Sequence, residues 1–108
     1  MTLVKACDRS DVPPGSVKFV STGGKDLVIS NVDGAFYAMD NSCTHEQGNL
    51  ADGPLNQDVL TCPEHCAQFD VKTGRVLRGP EGESPDSIPA EKTYTVKVQG
   101  TNVMVEIP

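Results

Sequence analysis

The sequence predicts an all-β domain with a Cys/His-bearing segment inserted between its first and last strands. Three observations predict it. Short apolar-alternating runs are punctuated by Gly-Gly, Asp-Gly and Lys-Thr-Gly turns. No window of eleven or more residues carries a helical period. Between positions 41 and 53 the pattern turns polar and glycine-containing, with no period at all.

Taken in order, Thr2–Ala6 is β-prone, and Pro13-Pro14-Gly15 stops regular structure. Ser16–Ser21 sets Val17 and Phe19 on one side against Ser16 and Lys18, the period of a half-buried strand. Gly23-Gly24 turns the chain into a strand over Asp26–Val32, and Asp33-Gly34 turns it again into Ala35–Met39. Leu55–Leu60 reads as one strand. Gln68–Val71 and Arg75–Leu77 flank the hairpin turn Lys72-Thr73-Gly74. Gly79–Pro89 holds three Pro and two Gly and reads as a loop. Thr93–Gln99 and Asn102–Ile107 pair across Gly100-Thr101 as a closing hairpin. The total is nine or ten short strands in one domain, since 108 residues leave no room for a second core.

Composition narrows the function. Hydrophobic residues make up 37% of the chain, charged residues 22%, and there is no Trp. These are values of a soluble globular domain. No apolar run is long enough to span a bilayer, and the first residues lack the apolar stretch of a signal peptide, so the expected compartment is the cytoplasm. A formal charge of −6 disfavours DNA, RNA and anionic lipid as partners. Between Lys25 and Lys72 there is no Lys or Arg, while Asp26, Asp33, Asp40, Glu46, Asp52, Asp58, Glu64 and Asp70 all fall there. Such a stretch suits a basic protein partner met in a salt-sensitive encounter.

The chemistry sits in four side chains. Cys43-Thr44-His45 and Cys62-Pro63-Glu64-His65 read C-x-H, then sixteen residues, then C-x-x-H. Each pair puts one thiolate and one imidazole on a short loop, and Gly48, Gly53, Pro54 and Pro63 favour loops around them. Thiolate with imidazole suits zinc, copper or an iron–sulfur centre better than a hard cation. A structural zinc site uses the same donors, but its ligand pairs are usually two to four residues apart, so the tight C-x-H pair fits it poorly. A disulfide between Cys43 and Cys62 would leave both His idle.

These segments, Cys43-Thr44-His45-Glu46-Gln47-Gly48 and Cys62-Pro63-Glu64-His65-Cys66-Ala67-Gln68-Phe69-Asp70, with Thr73-Gly74 and Gly79-Pro80 after them, resemble the Rieske 2Fe–2S family. The resemblance covers essentially the whole chain. It implies an antiparallel β-sandwich or barrel base over about 1–40 and 80–108, carrying a small cluster-binding subdomain over about 41–79. It implies one 2Fe–2S cluster, with Cys43 and Cys62 on one iron and His45 and His65 on the other. Two ferric ions, two sulfides and two thiolates sum to zero charge with neutral imidazoles. An electron is therefore added more easily than to a four-thiolate dianion.

The resemblance also selects among family types. Respiratory members bridge their cluster loops with two further Cys, which would fall at Gly48 and Glu64. Their Ser and Tyr donors to sulfur map to Ala67 and Phe69, which donate nothing through their side chains. Fewer donors imply a potential toward the low end, about −150 mV. With both His spent on the cluster, no oxygen-activating iron site remains, and no Gly-x-Gly-x-x-Gly fingerprint is present. The implied role is a monomeric ferredoxin without a catalytic site, carrying single electrons from a ferredoxin reductase to a terminal oxygenase of a ring-hydroxylating dioxygenase system. Alternatives are the small subunit of a nitrite reductase and a zinc-stabilised interaction module. Cys7 reads as a small buried hydrophobe. Cys66 stands where many family members carry Gly, which implies a tight backbone there.

Overall fold

The computed structural model describes residues 2–42, 49–63, 66–79 and 82–108. Among them are eleven strands in three antiparallel sheets. The first sheet joins β1 (Thr2–Asp8), β11 (Asn102–Ile107) and β10 (Val96–Gln99), in that order. The second joins β2 (Val17–Thr22), β3 (Lys25–Val32), β4 (Ala35–Asp40) and β9 (Thr93–Tyr94). The third joins β5 (Leu55–Asn56), β6 (Val59–Thr61), β7 (Gln68–Asp70) and β8 (Val76–Arg78). No helix among the described residues is long and apolar enough to cross a membrane.

The turn residues set the register. Thr22 faces Lys25 across Gly23-Gly24, Val32 faces Ala35 across Asp33-Gly34, and Gln99 faces Asn102 across Gly100-Thr101. Asp33 and Gly34 both have positive φ, 53° and 93°, the geometry that matches a two-residue turn to the twist of its strands.

The second sheet has apolar clusters on both faces. Successive side chains of a strand point to opposite faces. Leu27 and Ile29 of β3 accordingly join one buried cluster with Val20, Phe36, Ala38, Tyr94, Val103, Val105 and Ile107. Val28, between them, joins another with Met39, Leu50, Leu60, Cys62, Ala67, Phe69 and Val71. The first cluster fills the space against β11. The second ties the middle sheet to the sheet of β5–β8. Cys7 is buried in the first cluster, and that burial pushes its thiol pKa up, as suits a passive core residue.

Three expectations need correction. Leu55–Leu60 is two strands, because Gln57 takes a left-handed turn (φ 57°) and pairs Asn56 with Val59. Thr93–Gln99 is likewise divided, β9 pairing with β4 and β10 with β11. On β2 the buried residue is Val20, on the face opposite the expected one. On the expected face Val17 packs partly buried against the second cluster, while Phe19 is 45% exposed. Within the loop Gly79–Pro89 the chain makes one 3-10 turn at Pro85–Ser87.

Candidate metal centre

Cys62 follows β6 directly and opens the turn into β7. Its backbone N–H donates to the Ala67 carbonyl at 2.7 Å, and the Cys66 N–H donates back to the Cys62 carbonyl at 3.0 Å. Among the described residues the turn is thus closed mainly by main chain, with Gln68 Nε2 donating to Thr61 Oγ1 at 3.4 Å just outside it. Cys66 takes a left-handed conformation, φ 64°, the region an L side chain resists. That bears out the tight backbone expected at this position. The Cys66 side chain is exposed, and Cys62 is a free, buried cysteine.

The preceding loop is closed differently. Ser42 and Asn49 form an isolated antiparallel bridge. Asn41 and Leu50 bracket them, with the Leu50 N–H donating to the Asn41 carbonyl at 2.9 Å. Leu50–Asp52 is one 3-10 turn, ended by the Gly53 N–H donating to the Leu50 carbonyl at 3.0 Å. Gly53 then lies flush on the strand that leads to Cys62. A Cβ there would stand 1.9 Å from the Thr61 carbonyl oxygen and 3.2 Å from Pro63 Cδ. The Thr61 N–H donates to the Pro54 carbonyl at 3.1 Å. The segment leaving the first loop is therefore seamed to the segment reaching the second. Gly53 is more than a loop former: its φ is an ordinary −88°, and what the position requires is the missing side chain.

Of the four expected ligands, Cys62 lies within the described residues. Cys43, His45 and His65 lie outside them, as do Glu46, Gly48, Glu64 and Pro80. Among the described residues no group of three or more His, Cys, Asp or Glu is gathered. What is described fits an iron–sulfur ligand. Cys62 is 1% exposed, unpaired, and walled by Leu50, Leu60, Ala67 and Phe69. A soft thiolate in a dry apolar shell is the environment such a centre uses to limit solvent access. Ala67 and Phe69 are fully buried there, and neither side chain can donate a hydrogen bond.

Next to the first loop, Tyr94 Oη donates to Asp40 Oδ1 at 2.6 Å, and the Asp40 N–H donates to the Lys92 carbonyl at 3.0 Å. Burial, then the bond to Asp40, pushes the Tyr94 pKa well above its ordinary value. Of the acidic residues, Asp58 meets Lys72 Nζ at 3.8 Å with both side chains largely in water, a contact worth little.

Residues 2–98 match the family described as "Rieske [2Fe-2S] domain". The chain belongs to the Rieske 2Fe–2S family. Its cofactor is one 2Fe–2S cluster, and it is an electron-carrying ferredoxin. It is 37% identical over 107 residues to the biphenyl dioxygenase ferredoxin subunit of Pseudomonas sp. strain KKS102, covering 98% of this chain and 93% of that one. It is 39% identical over 97 residues to the ferredoxin component of the naphthalene 1,2-dioxygenase system of Pseudomonas aeruginosa, covering 90% and 88%. Among solved structures, the Sphingomonas yanoikuyae B1 ferredoxin superposes with a TM-score of 0.85 at 28% identity, over 99% of this chain and 100% of that one. A chain in the complex of reduced oxygenase and oxidized ferredoxin of carbazole 1,9a-dioxygenase superposes at 0.84 with 32% identity, over 95% and 91%. The Rieske fold also recurs within larger chains. The terminal oxygenase of carbazole 1,9a-dioxygenase from Nocardioides aromaticivorans IC177 superposes at 0.83, over 30% of its length.

The two residues that sequence reading passes over are Asn41 and the Gly53 contact. Asn41 carries no local pattern, because its partners lie across the loop. Gly53 was legible as a glycine in a polar segment, but its contact with Thr61 is a tertiary one.

Proposed function

We propose that Cys43 and Cys62 bind one iron of the cluster, and His45 and His65 the other. On this reading the protein carries single electrons in the cytoplasm, from a ferredoxin reductase to the terminal oxygenase of a ring-hydroxylating dioxygenase system. The carrying observation is the likeness, over nearly the whole of both chains, to ferredoxin components of biphenyl and naphthalene dioxygenases. When bound, the cluster would supply one-electron redox chemistry, accepting an electron from one partner and releasing it to the other. The chain's own residues supply the rest. Cys62 offers a buried sulfur ligand, the apolar side chains of Leu50, Leu60, Ala67 and Phe69 exclude water, and the seam at Gly53 joins the segment leaving the first ligand loop to the segment reaching the second. The separate sheet of β5–β8 supports reading 41–79 as a cluster-binding subdomain on a base of 1–40 and 80–108. The acid-rich stretch from Asp26 to Asp70 supports a brief electrostatic encounter with each partner, with the carrier a monomer.

The test is single replacement of each ligand in the iron-loaded protein. Cys43→Ser, Cys62→Ser, His45→Ala and His65→Ala should each abolish or alter the EPR signal of the reduced cluster. The unsubstituted protein should show a midpoint of about −150 mV, toward the low end of the Rieske range. An unchanged spectrum in any variant removes that residue from the set. Stoichiometric zinc in place of iron in protein purified from its native cells would overturn the electron-carrier reading.

A further inference from the structure

Among the described residues Asn41 makes four hydrogen bonds, and together they close the neck of the first ligand loop onto the base. Its backbone N–H donates to the Asp26 carbonyl of β3 at 3.0 Å. Its own carbonyl accepts from the Leu50 N–H at 2.9 Å. Its side-chain Oδ1 accepts from the Ala51 N–H at 2.9 Å. Its Nδ2 donates to Asn49 Oδ1 at 2.5 Å. Asn49 is braced in turn by donating from Nδ2 to Asp52 Oδ2 at 3.0 Å. The chain leaves this knot at Ser42 and returns at Asn49, paired as a bridge. The span enclosed, 43–48, holds Cys43 and His45.

We infer that Asn41 is a positioning residue for the cluster: its side-chain amide sets where the loop bearing Cys43 and His45 begins and ends. The inference rests on the ligand assignment proposed above. Three features carry it. Asn41 is 7% exposed, so its amide cannot exchange freely with water, and an unmatched group there is costly. Both halves of the amide are used, and both act on the far side of the same loop. The residue also belongs to the base, through Asp26. It therefore transmits the base's geometry to one pair of ligands, one for each iron. Among the described residues the main chain adds at this neck only the Ser42–Asn49 bridge and the Leu50 N–H to Asn41 carbonyl bond.

Asn31 provides an internal control. It too is buried, and its amide is used on both sides, Nδ2 donating to the Val12 carbonyl and Oδ1 accepting from the Gly34 N–H, each at 2.7 Å. Those partners belong to the base, at the β3–β4 hairpin and the turn before β2. Asn31→Leu and Asn41→Leu thus remove equivalent bonds in two places. In the iron-loaded full chain, Asn41→Leu should speed cluster loss to an iron chelator by about tenfold and shift the EPR g-values, whereas Asn31→Leu should lower thermal stability and leave both unchanged. Asn49→Ala, at an exposed position, should give a smaller acceleration in the same direction. If Asn41→Leu and Asn49→Ala both keep the parent spectrum and parent loss rate, while Cys43→Ser destroys the signal, the positioning role is wrong and the ligand assignment stands. A parent spectrum in Cys43→Ser overturns the ligand assignment instead. Equal acceleration by Asn31→Leu shows Asn41 to be a stability residue only.

Discussion

The two loops that carry the proposed ligands are closed by different means. The first adds side chains to its main-chain bonds: beside the Leu50 N–H to Asn41 carbonyl bond and the Ser42–Asn49 bridge, the Asn41 amide spans its neck, and Asn49 is braced by Asp52. The second is held by backbone, with Cys62, Cys66 and Ala67 bonded through their own peptide groups and Cys66 bent into a left-handed conformation. A neck made by side chains depends on residue identity. A neck made by main chain depends on conformational freedom. Substitutions should therefore act on the two loops through different physics.

The largest effect is expected where the loops meet. Gly53→Ala would place a methyl group against the Thr61 carbonyl, at a distance no Cβ contact tolerates, with backbone on the receiving side. The seam must open, and overpacking of that kind costs about 3 kcal/mol. Urea unfolding should show that loss, and the cluster should be released at a milder denaturant concentration than the global midpoint. A Gly53→Ala protein as stable as the parent would mean that the two necks move independently.

A smaller effect is expected beside the first neck. Tyr94 Oη donates to the carboxylate of Asp40, the residue before Asn41. Tyr94→Phe removes that bond, at about 1.5 kcal/mol for a charged acceptor. The pH dependence has a definite sign. The native pKa of Tyr94 is raised, first by burial, then by Asp40 with Glu91 adding repulsion, while the Lys92 ammonium lies 5.4 Å from the ring centroid. An unfolded tyrosine loses its proton near about pH 10. Stability from this group is thus fully present below that pH, and falls as pH climbs toward the raised native value. The difference between parent and Tyr94→Phe, measured by urea unfolding from pH 7 to 10.5, should shrink above pH 10. A constant difference would show that the native hydroxyl titrates normally.

This contrast also marks how far the sequence could be read. Hairpins whose turns need glycine announced themselves, as Gly23-Gly24, Asp33-Gly34 and Gly100-Thr101 did, because the residue that permits the turn is itself the signal. The Gln57 turn did not, since a left-handed glutamine looks like any other residue in a short apolar run. Phe19 misled for a related reason. Alternation gives two faces but not how far each is covered, and at this edge strand Val20 is buried in the first cluster while on the other face Val17 is covered and Phe19 is not. The Cys/His pairs proposed as ligands stand out in the sequence because thiolate and imidazole carry their chemistry in their names. The neck was not, because Asn41 reaches partners eight and ten residues on, across a loop with no period.

The smallest effect, and the sharpest check on the backbone-closed neck, comes at Cys66. A left-handed L-residue gives up about 1 kcal/mol relative to its preferred conformation. Glycine pays no such penalty, but its freer unfolded chain returns about 0.5 kcal/mol of that gain. Cys66→Gly should therefore stabilise the iron-loaded protein by about 0.5 kcal/mol, a rise of about 2–4 °C in a domain of this size. The side chain is exposed, so loss of the thiol itself changes little. Cys66→Ala separates the two causes, because it removes the sulfur and keeps the Cβ that resists positive φ. Glycine above parent, with alanine level with it, locates the strain in the backbone. Glycine and alanine rising together would place it in the thiol, and the second neck would then be relaxed despite its φ of 64°.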